Sequence, residues 1–279
     1  MQPIVVAVDF SKTSVHALEY SIPLASKLKS DIIMVWVDKV TTTESIYFDT
    51  SNENRNEAKK RFEEIIRHYQ KQVSKDIKLE YKLRKGKVYH ELDGLARTIN
   101  ALMIVAGAHG ISGFEEFWIG SNAFKIVTSS TCPVITVRHD FNEGKNIDKI
   151  LVPIDSSSET LQKLPFIAKL AGVFGSEVHL IATHYSQLRS VQRIADNLAD
   201  QAAKYLEKHR VKLIKDKIIS NDITKMTIDY ALNIGADLIS IMTEQETPAN
   251  ILLGPHAQQL VNQSPVPILS IHPVEHFSL

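Results

Sequence analysis

Apolar positions in this chain fall into short runs separated by longer amphipathic stretches. In the first half the unbroken runs lie at 3–8, 31–37, 102–106 and 133–137. Short runs rich in Val and Ile suit strands buried on both faces of a parallel sheet. Residues 78–84, KLEYKLR, alternate instead and predict a more exposed strand. Helical spacing occupies about 13–29, 53–75, 87–98 and 121–130. Ser11 or Thr13 is placed to cap the first helix, and Pro23 inside it predicts a kink. Residues 40–56, VTTTESIYFDTSNENRN, show neither period. They read as a long loop after the second strand, placed to act as a lid.

The pattern then repeats. IVVAVD at 4–9 returns as ILVPID at 150–155, an offset of 146, and at the same offset Ile32 meets Val178 and Val35 meets Ile181. TCPVITVRH (131–139) parallels PVPILSIHP (265–273), and polar FNEGKNID (141–148) between the halves reads as a linker. Strands of the second half are expected near 149–154, 177–183, 212–219, 237–242 and 267–271. Alternating strands and helices predict a doubly wound α/β sheet in each half, with right-handed crossovers. The expected domains are 1–140 and 147–279.

Bulk properties narrow the function. The 279 residues hold 32 Lys plus Arg and 32 Asp plus Glu, so charge gives no case for nucleic acid or an anionic membrane. No apolar run reaches the ~20 residues that span a bilayer. The start, MQPIVVAVDFSKTS, lacks the basic opening and cleavage site of a signal peptide. Cys132 is the one cysteine and cannot form an intrachain disulfide. The expectation is a cytoplasmic protein. No His/Cys cluster has metal-ligand spacing, and Pro273 argues against a helix presenting His272 and His276 together.

One segment carries candidate chemistry. GAHGISGFEEFWIGSN, residues 107–122, follows the fourth strand. In a doubly wound sheet, ligands sit beyond the carboxyl ends of the strands, where strand order reverses. If the first and fourth strands flank that point, Asp9 and the Gly107–Gly110 loop converge there. Glycines let backbone amides approach an anion, and Gly120-Ser121-Asn122 opens a helix whose N-terminus suits phosphate. Asp9 repels phosphate but can accept hydrogen bonds from ribose hydroxyls or an adenine amine. Read alone, the segment is either a turn or a phosphate cradle.

Gly107-x-x-Gly110, nine residues, then Gly120-Ser121 resembles the nucleotide-binding signature of the universal stress protein family. The VAVDFS start and CPVITV end are also similar to that family, and the resemblance spans the chain as a tandem pair. It implies two tandem doubly wound five-stranded parallel sheets, similar to adenine nucleotide α-hydrolases, with strand order 3-2-1-4-5. It implies ATP or another adenine nucleotide as ligand, with or without Mg. By this likeness Ala7, Val8 and Asp9 meet the adenosine and Val37 lies against the base. Gly107, His109 and Gly110 line the ribose and phosphates, and Gly120, Ser121 and Asn122 hold the phosphates. Ala7 departs from the proline common in the family. The resemblance also implies pairing of the halves through 133–137 and 267–271, and leaves a homodimer open.

The second half departs further. Aligning ADLISIM (236–242) with ALMIVAG (101–107) puts Met242 opposite Gly107 and Gln245 opposite Gly110. Gly254 remains, Pro255 replaces Ser121, and Glu244 and Glu246 add negative charge. Asp155 persists. The expectation is a second half that keeps the adenosine end of a site, loses the phosphate end and does not bind ATP in the family's way.

The leading expectation is a stress-response or regulatory protein whose first domain binds an adenine nucleotide. One alternative is an interaction scaffold that binds no nucleotide. The other is a weak ATPase, although no Walker-type lysine follows the glycines and Asp9 is the only acid placed near them. No residue is assigned a catalytic role. Cys132 reads as an inert buried thiol, and Phe114, Phe117 and Trp118 as packing that anchors the loop.

Overall fold

The computed structural model describes residues 2–38, 50–108, 120–138, 146–184, 186, 188–247 and 250–273. The chain divides into two compact units, Met1–His139 and Asp140–Leu279.

In the first unit the elements run β1 (Ile4–Ala7), α1 (Lys12–Leu28), β2 (Ile32–Asp38), α2 (Thr50–Tyr69), β3 (Leu79–Lys85), α3 (Val88–Thr98), β4 (Met103–Gly107), α4 (Ser121–Ser129) and β5 (Val134–Val137). The strands are parallel in the order β3-β2-β1-β4-β5. Chain direction across the sheet reverses between β1 and β4, which opens the crevice expected of such topologies. The central strands are buried along their length, with Ile4, Val5, Val6, Met103, Ile104 and Val105 fully inaccessible. β3 alternates buried and exposed positions, as KLEYKLR predicts.

Two features of α1 and α2 refine the sequence reading. Ser11, not Thr13, caps α1, accepting from the Ser14 amide at 3.2 Å, and the helix continues through Pro23 to Leu28. Residues 50–52, read from sequence as loop, belong to α2, as do 53–56, where the loop and helix readings overlapped. Its inner face is set by Ala58 and Phe62, 2% and 0% exposed, whereas Asn52, Glu53 and Asn54 ahead of them are exposed. The first turns therefore carry no apolar spacing to read; the helix is held by packing further along. The other part of the expected lid, 40–49, lies outside the described residues.

The second unit runs β6 (Lys149–Ile154), a 3₁₀ turn (Ser158–Leu161), α5 (Leu164–Phe174), β7 (Glu177–His184), α6 (Arg189–Lys208), β8 (Lys212–Ile219), α7 (Ile223–Ile234), β9 (Leu238–Met242), β10 (Glu244–Thr247), β11 (Asn250–Leu252), α8 (Pro255–Gln263) and β12 (Ile268–Ile271). Its parallel strands follow the order β8-β7-β6-β9-β12, the same winding as the first unit. The departure is the antiparallel hairpin β10–β11, which occupies the segment aligned with the glycine loop. Among the described residues no helix is long and apolar enough to cross a membrane.

Candidate functional site

The crevice of the first unit is built from the ends of β1, β2 and β4. β1 ends at Ala7, and the Val8 amide extends the ladder by donating to the Val35 carbonyl at 2.9 Å. The chain then turns sharply. Asp9 Oδ1 accepts from the Ser11 amide at 3.0 Å and the Ser11 hydroxyl at 2.6 Å, and the Asp9 amide donates to Ser14 Oγ at 3.2 Å. This Asx-type turn is local chemistry that Asp and Ser offer at a helix start. Phe10 at its apex has φ 63°, a left-handed conformation that costs a non-glycine residue about 1 kcal/mol or more. Aromatic packing holds it there: its ring lies 4.9 Å from Phe62, which stacks on Tyr81 at 4.8 Å, and Arg61 covers it at 5.4 Å.

The glycine end has its own geometry. A Cβ on Gly107 would lie 2.8 Å from the Thr13 carbonyl oxygen and 2.9 Å from Thr13 Cγ2. Only glycine lets the end of β4 approach the first turn of α1 this closely. The Ala108 amide donates to Val137 at 2.8 Å, and the Gly120 amide donates to the Ala108 carbonyl at 2.7 Å. This last bond ties the start of α4 to the end of β4. It also uses the Gly120 amide, which is therefore not a ligand donor in this arrangement. Phe124 makes the first intrahelical bond, to Gly120, and Gly120 provides no side-chain cap. The amides of Ser121, Asn122 and Ala123 thus face the helix start without an intrahelical acceptor. Ser121 is exposed and Asn122 half-buried. His109 and Gly110, with Phe114, Phe117 and Trp118, lie outside the described residues.

The strand beside β1 adds a group that pattern reading passed over. Val37 is buried, as is Asp38 after it at the end of β2, and Asp38 Oδ2 has no hydrogen-bond partner. A carboxylate oxygen in that state calls for a donor. The signal in the sequence was an acid closing an otherwise apolar strand, IIMVWVD.

The second unit reproduces the aspartate's hydrogen bonds, without a left-handed residue after it or a serine side-chain cap, and replaces the surroundings. Asp155 Oδ1 accepts from the Ser157 amide at 2.9 Å and hydroxyl at 2.6 Å, and its own amide donates to Thr160 Oγ1 at 3.3 Å. Gly107 pairs with Val137 and Met242 with Ile271, so the strand registers place Met242 where the first unit has Gly107. Where the first unit has a regular α-helical first turn, the matching residues Ser158–Leu161 form a 3₁₀ turn, and α5 begins only at Leu164. At the last helix Gly254 matches Gly120 as the N-cap residue, with φ −56° and −59°, but Pro255 follows and has no amide hydrogen.

Lys163 sits just ahead of α5, 3% exposed, with Nζ 3.3 Å from Thr160 Oγ1. Burial pushes its ammonium down from 10.5 to about 8, while the nearby Asp155 carboxylate pulls it upward. The offset of 146 places it opposite Ala17, a buried position where a lysine is unexpected.

Cys132 is half-buried, and burial followed by the Asp93 carboxylate pushes its thiol up to about 12. A thiol so held is no nucleophile near neutral pH. Among the described residues no three His, Cys, Asp or Glu side chains gather as a metal site.

Against this geometry, the family described as "Universal stress protein family" matches residues 1–138 and again residues 146–272. Universal stress protein YxiE of Bacillus subtilis is 33% identical over 142 residues, 48% of this chain and 96% of its own length. A universal stress protein of Methanocaldococcus jannaschii is 25% identical over 137 residues, 48% of this chain and 81% of its own length. Among solved structures, a universal stress protein from Archaeoglobus fulgidus covers 98% of this chain and 97% of that one, with a TM-score of 0.78 at 19% identity, a likeness of fold.

Proposed function

The chain belongs to the universal stress protein family, and from that premise we propose that its first unit binds an adenine nucleotide, ATP above all, in a stress-response or regulatory role. The Gly120–Ala108 hydrogen bond of 2.7 Å carries this reading. It brings the uncapped start of α4 to the end of β4, the strand next to β1 and its Asp9 turn. One side of the crevice then offers amides to an anion, and the other offers carboxylate oxygens to hydroxyl or amine donors.

In the proposal, Asp9 and the backbone at Ala7 and Val8 take the adenosine, with Val37 against the base. Gly107, His109 and Gly110 line the ribose and phosphates, and the amides of Ser121 and Asn122, with the Ser121 hydroxyl, hold the phosphates. Gly120 contributes shape and anchoring. The role is binding, by which occupancy biases conformation or partner choice; Mg accompanies the phosphates where it binds.

Isothermal titration of the full chain with ATP tests the reading. Saturable binding is expected, with a rise in melting temperature that Gly120→Val abolishes. No binding at millimolar ATP, or equal affinity in Gly110→Val and Gly120→Val, would favour an interaction scaffold instead.

A further inference from the structure

The even balance of charge over the whole chain hides a local excess. Residues 71–87, KQVSKDIKLEYKLRKGK, hold seven Lys or Arg against two Asp or Glu. They run from just after α2, through β3, to the start of α3, so the excess follows the outer edge of the first unit's sheet. β3 pairs with β2 on one side, and among the described residues nothing pairs with its other side.

The ladder fixes what that free side presents. The Lys78 carbonyl accepts from the Ile32 amide at 2.9 Å, and the Gly86 amide donates to the Asp38 carbonyl at 3.0 Å. Backbone groups alternate between these points, so Glu80, Lys82 and Arg84 turn theirs toward β2, and Leu79, Tyr81, Leu83 and Lys85 turn theirs outward. Side chains alternate as well. Tyr81 stacks on Phe62 of α2, so Leu79, Tyr81, Leu83 and Lys85 share the α2 face, and Lys78, Glu80, Lys82 and Arg84 share the other. Lys78, Glu80 and Lys82 are exposed. Arg84 is half-buried, and its Nε is buried without a hydrogen-bond partner, so its stem is held against the protein. Among the described residues no ion pair answers Lys78, Lys82 or Arg84. The matching edge strand of the second unit, β8, differs: Asp200 holds Lys215, and Ile214 and Ile219 are exposed.

Lysines on an edge strand guard it against its like. Antiparallel β3 strands of two copies would set like charges opposite each other whether centred on Glu80, Tyr81, Lys82 or Leu83: Glu80 on Glu80, Lys78 on Arg84, Lys82 on Lys82, or Lys82 on Arg84. The charges that repel a second copy attract a strand of opposite sign. We propose that the free edge of β3 takes an extended acidic segment of a partner protein as an added strand. Acids at alternate positions meet Lys82 and Arg84 on one face, and apolar residues between them meet Tyr81 and Leu83 on the other. Main-chain hydrogen bonds to the outward groups set the register, and the charges select the partner. None of these residues takes part in the nucleotide reading.

The probe is a peptide blocked at both ends, Glu-Val-Glu-Val-Lys-Val-Glu. Laid antiparallel along β3 it puts glutamate opposite Arg84, Lys82 and Lys78, lysine opposite Glu80, and valine opposite each outward-turned residue between them. Fluorescence anisotropy of the labelled peptide with the full chain is expected to show saturable binding that falls as salt rises. Affinity is expected to drop about tenfold in the double variant Lys78→Glu/Lys82→Glu, whose two sites are exposed. Methylating the valine amides of the peptide, which removes donors to β3 and leaves its charge intact, is expected to abolish binding to the unsubstituted chain. Hydrogen exchange at the Leu79, Tyr81 and Leu83 amides is expected to slow at saturating peptide. No binding, unchanged affinity in the double variant, undiminished binding of the methylated peptide, or unmoved exchange at Tyr81 and Leu83 would overturn the proposal. So would a thymidine oligonucleotide of equal charge that binds as tightly as the peptide, since the edge would then be a general polyanion surface.

Discussion

Gly107 and Ser11 show how much of the first crevice hangs on single side chains, or on the lack of one. A methyl group at Gly107 would meet backbone atoms of Thr13 at 2.8–2.9 Å. Backbone cannot swing aside as a side-chain tip can, so strand end and helix start must separate. Gly107→Ala is therefore expected to destabilise the protein by about 1–3 kcal/mol and to weaken ATP binding with it. Paired denaturation and calorimetry check both; a stable, fully binding variant would contradict the role given to this glycine. Ser11 has two tasks, capping α1 through the Ser14 amide and donating to Asp9 Oδ1 at 2.6 Å. Ser11→Ala is expected to cost about 1 kcal/mol as a lost cap and also to lower nucleotide affinity, since Asp9 loses the hydroxyl that orients it. Asp38→Leu is expected to weaken nucleotide binding without lowering stability, because it removes a buried carboxylate whose Oδ2 has no partner. A loss of stability with unchanged affinity would make Asp38 structural. Asp9, Gly107, Gly120 and Ser121 stand out in the sequence because their chemistry and spacing are unusual; what they hold is the proposal above. Asp38 does not, since a lone polar residue at a strand end has no spacing to betray it; only burial and an unanswered atom single it out.

At the scale of elements, the strands were legible almost to the residue, because short Val- and Ile-rich runs have few other uses. Ambiguity gathered where packing, not composition, decides. The first turns of α2 are polar and exposed, so only the buried Ala58 and Phe62 further on reveal that a helix has begun. The hairpin β10–β11 spans only seven strand residues and is held by cross-strand pairing that no periodicity announces. The 3₁₀ turn ahead of α5, where the first unit has regular helix, is likewise not announced by the residues that form it. Lys163 lies at that break and gives the element a measurable signature. Its folded pKa is lowered by burial to about 8, from the ordinary 10.5. Between those values the unfolded chain binds more protons than the folded one, so stability rises with pH across that window. The rise amounts to about 3 kcal/mol, at roughly 1.4 kcal/mol per pH unit. Urea unfolding at pH 8 and at pH 10.5 should show this gain in the unsubstituted protein relative to Lys163→Met, with no such difference developing below pH 8. Parallel profiles would mean that Lys163 reaches water.

For the molecule as a whole, the consequence is asymmetry between two copies of one fold. One ATP per chain is expected, its binding abolished by Asp9→Ala and unaffected by Asp155→Ala, as equilibrium titration would read. Two equivalent ATP sites would contradict the expectation that the second unit has lost its phosphate side. The repeat itself was plain in the sequence, because hydrophobic periodicity and the offset of 146 need no coordinates. So were the parallel winding and the place of the crevice, since alternating strands and helices with right-handed crossovers leave few topologies. What only the tertiary structure decided is how each polar group is answered. That Gly120 spends its amide on Ala108, that Gly107 is glycine because Thr13 is so near, and that Lys163 is buried are contacts between residues distant in sequence. Periodicity records which face a residue turns toward the core; it does not record which atom waits there to meet it.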